Sequence, residues 1–443
     1  GMEKEMEYPL NIYITAHTLI SSLGFGISEN KKAIHDYRSG IRMQEAGRIS
    51  DSPILAGMID SVELEKRAKE LLEKRAKELD ISSYTRLEQL FILTIQEVIS
   101  QSGVNLQESD CALLLSTTKG NIDLLSNQEK RTNSDKPSGS VQSTIDNPSF
   151  LQELSADSPT FLWKMAERIG HFFEAANQVE VISNACISGV SALVVAKRWI
   201  ESGRYKRVIV AGGDILSHFI TSGFLSFRSV SAHRCRPYDI QRDGLSLGEA
   251  CGAVLLETQG NANHIILSGG AISNDANHIS GPSRTGDGLA LAINQAMEEA
   301  GALPEDISFI NAHGTATVYN DEMESKAIHL AGLSTLGSYT SKSSGNLISG
   351  LEINFRLPVP DITNLIVIAS LVFSSLLLID EEILNSPTPP EKSAGLPAGS
   401  GFTFIAILGV EIDFFISMTL LPPLKKASKG SSDCTGLPTV IWN

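Results

Sequence analysis

The chain is short of what a disulfide framework or a zinc centre needs. Its five cysteines (Cys111, Cys186, Cys235, Cys251 and Cys434) are odd in number, scattered and without a C-x-x-C pair. That pattern fits a reducing cytoplasm and argues against structural disulfides and a metal site. Positive charge is also in deficit: 36 Lys and Arg face 51 Asp and Glu, a net charge of -15. Broad nucleic-acid binding is therefore not expected, and an anionic partner would need a local basic patch. A long uncharged apolar run is missing too. Residues 365–378 are short for a bilayer, and residues 402–421 carry Glu411 and Asp413, so both read as buried elements rather than membrane spans. The start has no basic-then-apolar stretch, which argues against a secretory signal, and Gly1 before Met2 reads as an expression remnant.

What is present suits a folded protein. Hydrophobic residues make up 42% and charged residues 20% of 443, enough for a large core in two similar halves or two domains. Two segments look like copies of one unit: QEVISQSGVNLQESDCALLLSTT (96–118) and AINQAMEEAGALPEDISFINAHG (292–314). Each reads as helix, glycine stop, acidic turn and apolar strand. Aligning Asp110 with Asp306 sets Leu114 on Ile310 and Thr117 on His313. The alternative is that any helix–turn–strand would look alike. VEVIS (179–183) reads as a strand running into a helix stopped at Gly203, and RVIVAGGD (207–214) as the next strand. Strands alternating with helices imply an α/β class with a mainly parallel or mixed sheet. Residues 119–160 read as a long polar excursion or lid, and residues 386–400 as a Pro/Gly/Ser loop.

A charged helix repeats EKRAKEL at 65–71 and 73–79. Leu64, Ala68, Leu71, Leu72 and Leu79 form its apolar stripe, and Lys66, Arg67, Lys69, Lys74 and Lys77 point away from it. This is either a solvated face laced with Glu–Lys pairs or a docking site for an acidic partner.

Three stretches carry candidate chemistry. Cys186 follows a small polar turn, SNA, where a strand gives way to a helix. A thiol there feels the positive end of the helix dipole, which favours the thiolate that attacks thioesters. A buried inert cysteine is the alternative. His313 ends a strand in INAHGTATVYNDEMESKA, with Gly314 permitting a tight turn, Thr315 and Thr317 adding hydroxyls, and Asp321 and Glu324 on one face of the next helix. CRPYDIQRDGLSLGEACGAVLLE (235–257) reads alone as a loop with internal salt bridges before an apolar strand.

In this order and spacing, SNACISG, RPYDIQRDGLSLGEACGAVLLE and NAHGTATVYNDEMESKAI resemble the β-ketoacyl-[acyl-carrier-protein] synthases, the condensing enzymes of fatty-acid and polyketide synthesis. The resemblance covers roughly residues 10–335. It implies a thiolase-like fold, two duplicated halves in a five-layer αβαβα core, here divided as 1–258 and 259–443, and a homodimer joined near VEVIS. It implies acyl transfer from acyl carrier protein to Cys186, then decarboxylative condensation with a malonyl thioester, without a cofactor or metal. By the family pattern His313 helps to polarise the malonyl thioester carbonyl, Asp321, Glu324, Thr315 and Thr317 support the site, and Lys66, Arg67 and Lys69 receive the carrier protein.

The pattern breaks late in the chain. The family's second active-site histidine is absent, because the last of nine histidines is His329. Lys342 resembles the family lysine, and Asn346 falls one residue from the position of that histidine. The Phe-gated glycine loop is replaced by ASKGSSDCTG (427–436), with Ser431 in the gate position. Two readings follow: a condensing enzyme with a Cys186–His313–Asn346 site, or a catalytically weak scaffold subunit that binds carrier protein or an active partner.

Overall fold

The computed structural model describes residues 10–36, 38–75, 83–125, 158–275 and 282–334, and the backbone of strands at 338–339, 362–370 and 402–407. Asn346, Lys342, Ser431, Cys434, the loop 386–400, most of the 119–160 excursion and the end of the second EKRAKEL copy lie outside the described residues.

The first half runs β1 (Tyr13–Ser21), β2 (Gly24–Phe25), α1 (Ile27–His35), β3 (Ile41–Gln44), β4 (Ile54–Gly57), α2 (Ser61–Arg75), α3 (Arg86–Ser102), β5 (Cys111–Ser116), α4 (Leu162–Phe172), β6 (Glu180–Ile182), α5 (Ser188–Glu201), β7 (Arg207–Asp214), α6 (His218–Ser226), β8 (Leu247–Gly248) and β9 (Ala250–Glu257). The second runs β10 (Ile265–Ser273), α7 (Asp287–Ala300), β11 (Ile307–Asn311), α8 (Val318–Leu330), β12 (Ser338–Tyr339), β13 (Ile362–Ser370) and β14 (Phe402–Ile407).

Local chemistry sets these boundaries. Thr85 caps α3: its hydroxyl accepts from Glu88 N–H, and the Glu88 carboxylate accepts from Thr85 N–H at 2.8 Å. At the other end Gly103 adopts φ 71°, which a residue with a Cβ resists. The matching unit in the second half ends α7 on Gly301 at φ 64°, and a strand follows in both cases.

In the first half the sheet order is β6-β5-β7-β9-β1, with β9 antiparallel to both neighbours. β5, β7 and β9 are buried on both faces, which explains their near-continuous apolar runs. On β5, β7 and β9, Leu114, Val208, Val210, Val254 and Leu256 turn toward Val190, Leu193 and Val194 of α5. The alternate residues Leu113, Leu115, Ile209, Ala211 and Leu255 turn toward Phe91, Ile95 and Val98 of α3.

The second half follows β12-β11-β14-β13-β10, all pairs parallel, and joins the first where β1 lies antiparallel to β10 at Tyr13–Ile266 and Ile14–Ile265. Ile265 and Leu267 of β10 pack in the α5 cluster. A register shift after Leu267 then turns Gly269 and Ala271 toward α7: a Cβ on Gly269 would sit 2.3 Å from Ala296 O. The layers therefore run α3, sheet, α5, sheet, α7. Lys197 of α5, buried, ties the halves together through Glu299 of α7 at 2.7 Å, while the other Glu299 oxygen accepts from Gly270 N–H at 3.2 Å.

Candidate active site

Cys186 sits in a sharp turn between β6 and α5. Ala185 before it has φ 44°, a left-handed conformation that costs an alanine roughly 1 kcal/mol. Ser188, the first residue of α5, holds the turn closed. Its Oγ accepts from Asn184 N–H at 2.9 Å and donates to Ala185 O. Ile187 N–H also reaches back to Asn184 O at 3.1 Å. The thiol is shielded, at 1% exposure, two residues before the helix begins.

The ends of the neighbouring strands β5 and β7 meet beside this turn. Thr117 Oγ1 donates to Asp214 at 2.7 Å, and Thr118 donates through its N–H and hydroxyl, both at 2.9 Å. Burial raises the Asp214 carboxyl, and these hydrogen bonds oppose the rise. Ser183 Oγ donates to Thr118 O at 3.1 Å, joining the Cys186 turn to the same corner.

His313 lies just past β11, buried, in a turn held by two carboxylates of α8. Glu324 accepts from His313 N–H at 2.6 Å and from Gly314 N–H at 2.9 Å, one on each oxygen. Asp321 accepts from Ala316 N–H at 3.1 Å, where Ala316 has φ 62°, and from the Thr315 hydroxyl at 3.4 Å. Thr315 and Thr317 share a hydroxyl hydrogen bond at 2.7 Å, and Asn320 Nδ2 donates to Thr315 at 3.1 Å. Thus the structure brings His313, Thr315, Thr317, Asp321 and Glu324 into one network.

The segment 236–242 is a strap across that network, and this corrects its reading as a self-contained salt-bridged loop. Tyr238 N–H donates to Asp321 at 2.8 Å and Tyr238 OH donates to Glu324 at 2.5 Å. Arg242 pairs with Asp321 at 3.4 Å and donates to Val318 O at 3.0 Å. Glu249, counted with the same loop charges, is instead buried, where it accepts from Arg86, Ile59 N–H and Leu216 N–H. Burial pushes Glu324 up to about 7, against the hydrogen bonds from Gly314, Tyr238 and His313 that lower it, while the Asp321 charge adds to the rise.

On α2, Arg67 pairs with Glu63 at 2.6 Å and Glu29 at 2.7 Å and lies over the Phe25 ring, Lys66 pairs with Glu63 at 3.6 Å, and Lys69 is exposed. Among the described residues no cluster of His, Cys, Asp and Glu is placed to hold a metal ion, and no helix is long and apolar enough to cross a membrane.

A family model for the N-terminal domain of β-ketoacyl synthases matches residues 11–262, more than half of the chain, and one for their C-terminal domain matches residues 264–339. This chain belongs to the β-ketoacyl synthase family. Similar curated β-ketoacyl synthases include the 3-oxoacyl-[acyl-carrier-protein] synthase 2 of Synechocystis sp., 34% identical over 183 residues, 38% of this chain and 44% of that protein. The mitochondrial 3-oxoacyl-[acyl-carrier-protein] synthase of Arabidopsis thaliana is 36% identical over 171 residues, 35% of this chain and 36% of that protein. The matched stretch thus spans less than half the length of these relatives. Among solved ketosynthases, the ishigamide ketosynthase/chain length factor aligns with a TM-score of 0.60 at 23% identity, covering 75% of this chain and 80% of that one. The ketosynthase ApeO in complex with its chain length factor ApeC, from Xenorhabdus doucetiae, aligns at 0.59 and 24% identity, covering 73% and 76%. The fold is thiolase-like, as these neighbours and the layer order agree. Both family matches end by residue 339, close to where the motif resemblance stops.

Sequence reasoning missed Asp214, Tyr238 and Arg242 as members of these networks. Asp214 ends a strand beside two threonines of another strand, and the strap reaches a helix 83 to 86 residues away. Only the RPYD and QRDG segments themselves, singled out as a motif, were a signal.

Proposed function

We propose that the chain is a 3-oxoacyl-[acyl-carrier-protein] synthase that divides the reaction between its halves, 1–258 and 259–443. The Cys186 thiolate attacks an acyl-carrier-protein thioester; the new S–acyl bond forms as the carrier thiolate leaves. A malonyl thioester then loses CO2, and the electron pair of the broken C–C bond passes into an enolate. His313 donates a hydrogen bond to the enolate oxygen. The enolate carbon attacks the acyl carbonyl, a C–C bond forms, and the Cys186 thiolate departs. Asn346 supplies a second donor to the same oxygen through its amide NH2, without a proton transfer.

One observation carries this reading: the strained, hydrogen-bonded turn that sets Cys186 at the start of α5. Strain of this kind persists where the surroundings over-determine it, commonly at active sites. The carboxylate-held His313 turn supports the second step. Acyl carrier protein docks on Lys66 and Lys69 with Arg67 beside them, the active form is a cytoplasmic homodimer, and no cofactor takes part. The scaffold reading has one observation in its favour, the end of the family match at residue 339.

The test compares malonyl decarboxylation by the parent, Asn346→Ala and His313→Ala. Loss of one oxyanion donor costs on the order of 3 kcal/mol, about a hundredfold in rate. Both variants are expected to slow, His313→Ala the more. If Asn346→Ala matches the parent, Asn346 plays no part. If the parent shows no decarboxylation, the scaffold reading replaces this one.

A further inference from the structure

We propose that Tyr238 is a positioning residue for the His313 turn, acting across the boundary between the halves through Glu324 and Asp321. The inference deepens the reading of His313 as the enolate donor and rests on it for its catalytic consequence. Its structural basis is independent. Tyr238 has φ 60°, a conformation that a ring-bearing residue rarely adopts. That conformation delivers two hydrogen bonds to two carboxylates of one helix, the backbone N–H to Asp321 and the phenol to Glu324.

Glu324 joins the strap to the His313 turn. It is fully buried, and its two oxygens hold the consecutive N–H groups of His313 and Gly314. Any tilt of this carboxylate carries the His313 backbone with it. The phenol fixes the oxygen that also holds Gly314, and Arg242 fixes Asp321 one turn earlier. Tyr238 itself packs against the second-half core that includes Leu289, Ile293 and Met323. Phenylalanine would keep that packing and the backbone N–H, so the hydroxyl can be removed alone. The charged or titratable groups around Glu324 are Tyr238 and Arg242 from the strap, His313 from the turn and Asp321 from its own helix. The phenol hydrogen bond is one of those that favour the ionised carboxylate, the form that accepts both N–H groups.

The experiment is Tyr238→Phe in the full chain. Acyl loading of Cys186 is expected to stay within twofold of the parent. The kcat of malonyl decarboxylation is expected to fall about tenfold, the loss of one hydrogen bond to an ionised group, with KM unchanged. Hydrogen–deuterium exchange of the peptide covering residues 312–317 is expected to quicken about tenfold, with exchange in β5, β7 and β9 unchanged. Tyr238→Phe with Glu324→Gln should be no worse than Glu324→Gln alone. Unchanged kcat and unchanged exchange overturn the proposal. So does a general loss, in which loading and exchange of the first-half strands suffer equally, since that marks a fold residue. If the parent does not decarboxylate, the role of His313 fails, and exchange at residues 312–317 alone decides whether Tyr238 positions the turn.

Discussion

The two halves use one supersecondary unit for different ends. In both, a helix stops on a left-handed glycine and a buried strand follows: α3, Gly103 and β5 in the first, α7, Gly301 and β11 in the second. Past the strand, the first half has Thr117 and the second His313. Thr117 spends its hydroxyl on Asp214 and shapes the corner beside Cys186. His313 commits its backbone N–H to Glu324, in a turn that α8 holds from behind. The halves part further along. Counted within each half, the strand order is third, second, fourth, fifth, first in one, but third, second, fifth, fourth, first in the other. The exchange of the last two strands falls beyond residue 339, where the family match has ended. The shared backbone unit thus sets Thr117 and His313 at matching strand ends, whereas long-range carboxylate contacts give the two positions different partners.

Thiol chemistry offers the sharpest contrast. Burial pushes Cys111 and Cys251, both inside strands, up to about 12, whereas Cys186 sits in the turn just before α5. All three are shielded to a similar degree, so exposure does not separate them. Near pH 7, iodoacetamide is expected to label Cys186 ahead of Cys111 and Cys251. Peptide mapping that finds either of those modified first removes the special standing of the Cys186 turn.

The carboxylates of the second half should show in stability. Glu324 is raised from 4.5 to about 7, so the folded state keeps its proton where the unfolded state has lost it. Its contribution is fully present below pH 4.5 and is lost as pH rises toward 7, by on the order of 3 kcal/mol. Glu324→Gln cannot titrate there. Its unfolding free energy should therefore fall by about that much less between pH 5 and pH 8 than the parent's. Equal slopes for the two proteins would show that Glu324 ionises at an ordinary pH.

Much of this was legible beforehand because it is local. A short continuous apolar run ending in a glycine turn made RVIVAGGD a strand with the observed bounds, and the glycine stops marked both helix ends. Cys186 and His313 stood out through short motifs. The strap did not, because Tyr238 and Glu324 are 86 residues apart and no local periodicity links them. Glu249 looked like one more loop charge, yet it is buried against Arg86, 163 residues away. Such pairings come from tertiary contact alone.

The join between the halves gives a smaller effect. Lys197 is buried between Glu201 and Glu299, both partly exposed. Lys197→Ala leaves those carboxylates without their cation and is expected to destabilise by about 2 kcal/mol, less than a fully buried pair would cost. A change below 0.5 kcal/mol by urea denaturation would mean that packing of α5, not this ion pair, holds the halves together.

The smallest effect belongs to α2. Changing Lys66, Arg67 and Lys69 together to Glu should weaken acyl-carrier-protein binding about tenfold at low salt and less at high salt. Loading of Cys186 from acyl-CoA should be unaltered. Binding that survives both the reversal and high salt would make α2 a solvated face, its Arg67 serving only Glu63 and Glu29.

The division of labour between the halves is tested most directly by intact-mass analysis after incubation with acyl-loaded carrier protein. The parent is expected to gain one acyl group, His313→Ala to gain the same group, and Cys186→Ala to gain none. An adduct on Cys186→Ala, or its loss in His313→Ala, would contradict the assignment of acyl transfer to the first half.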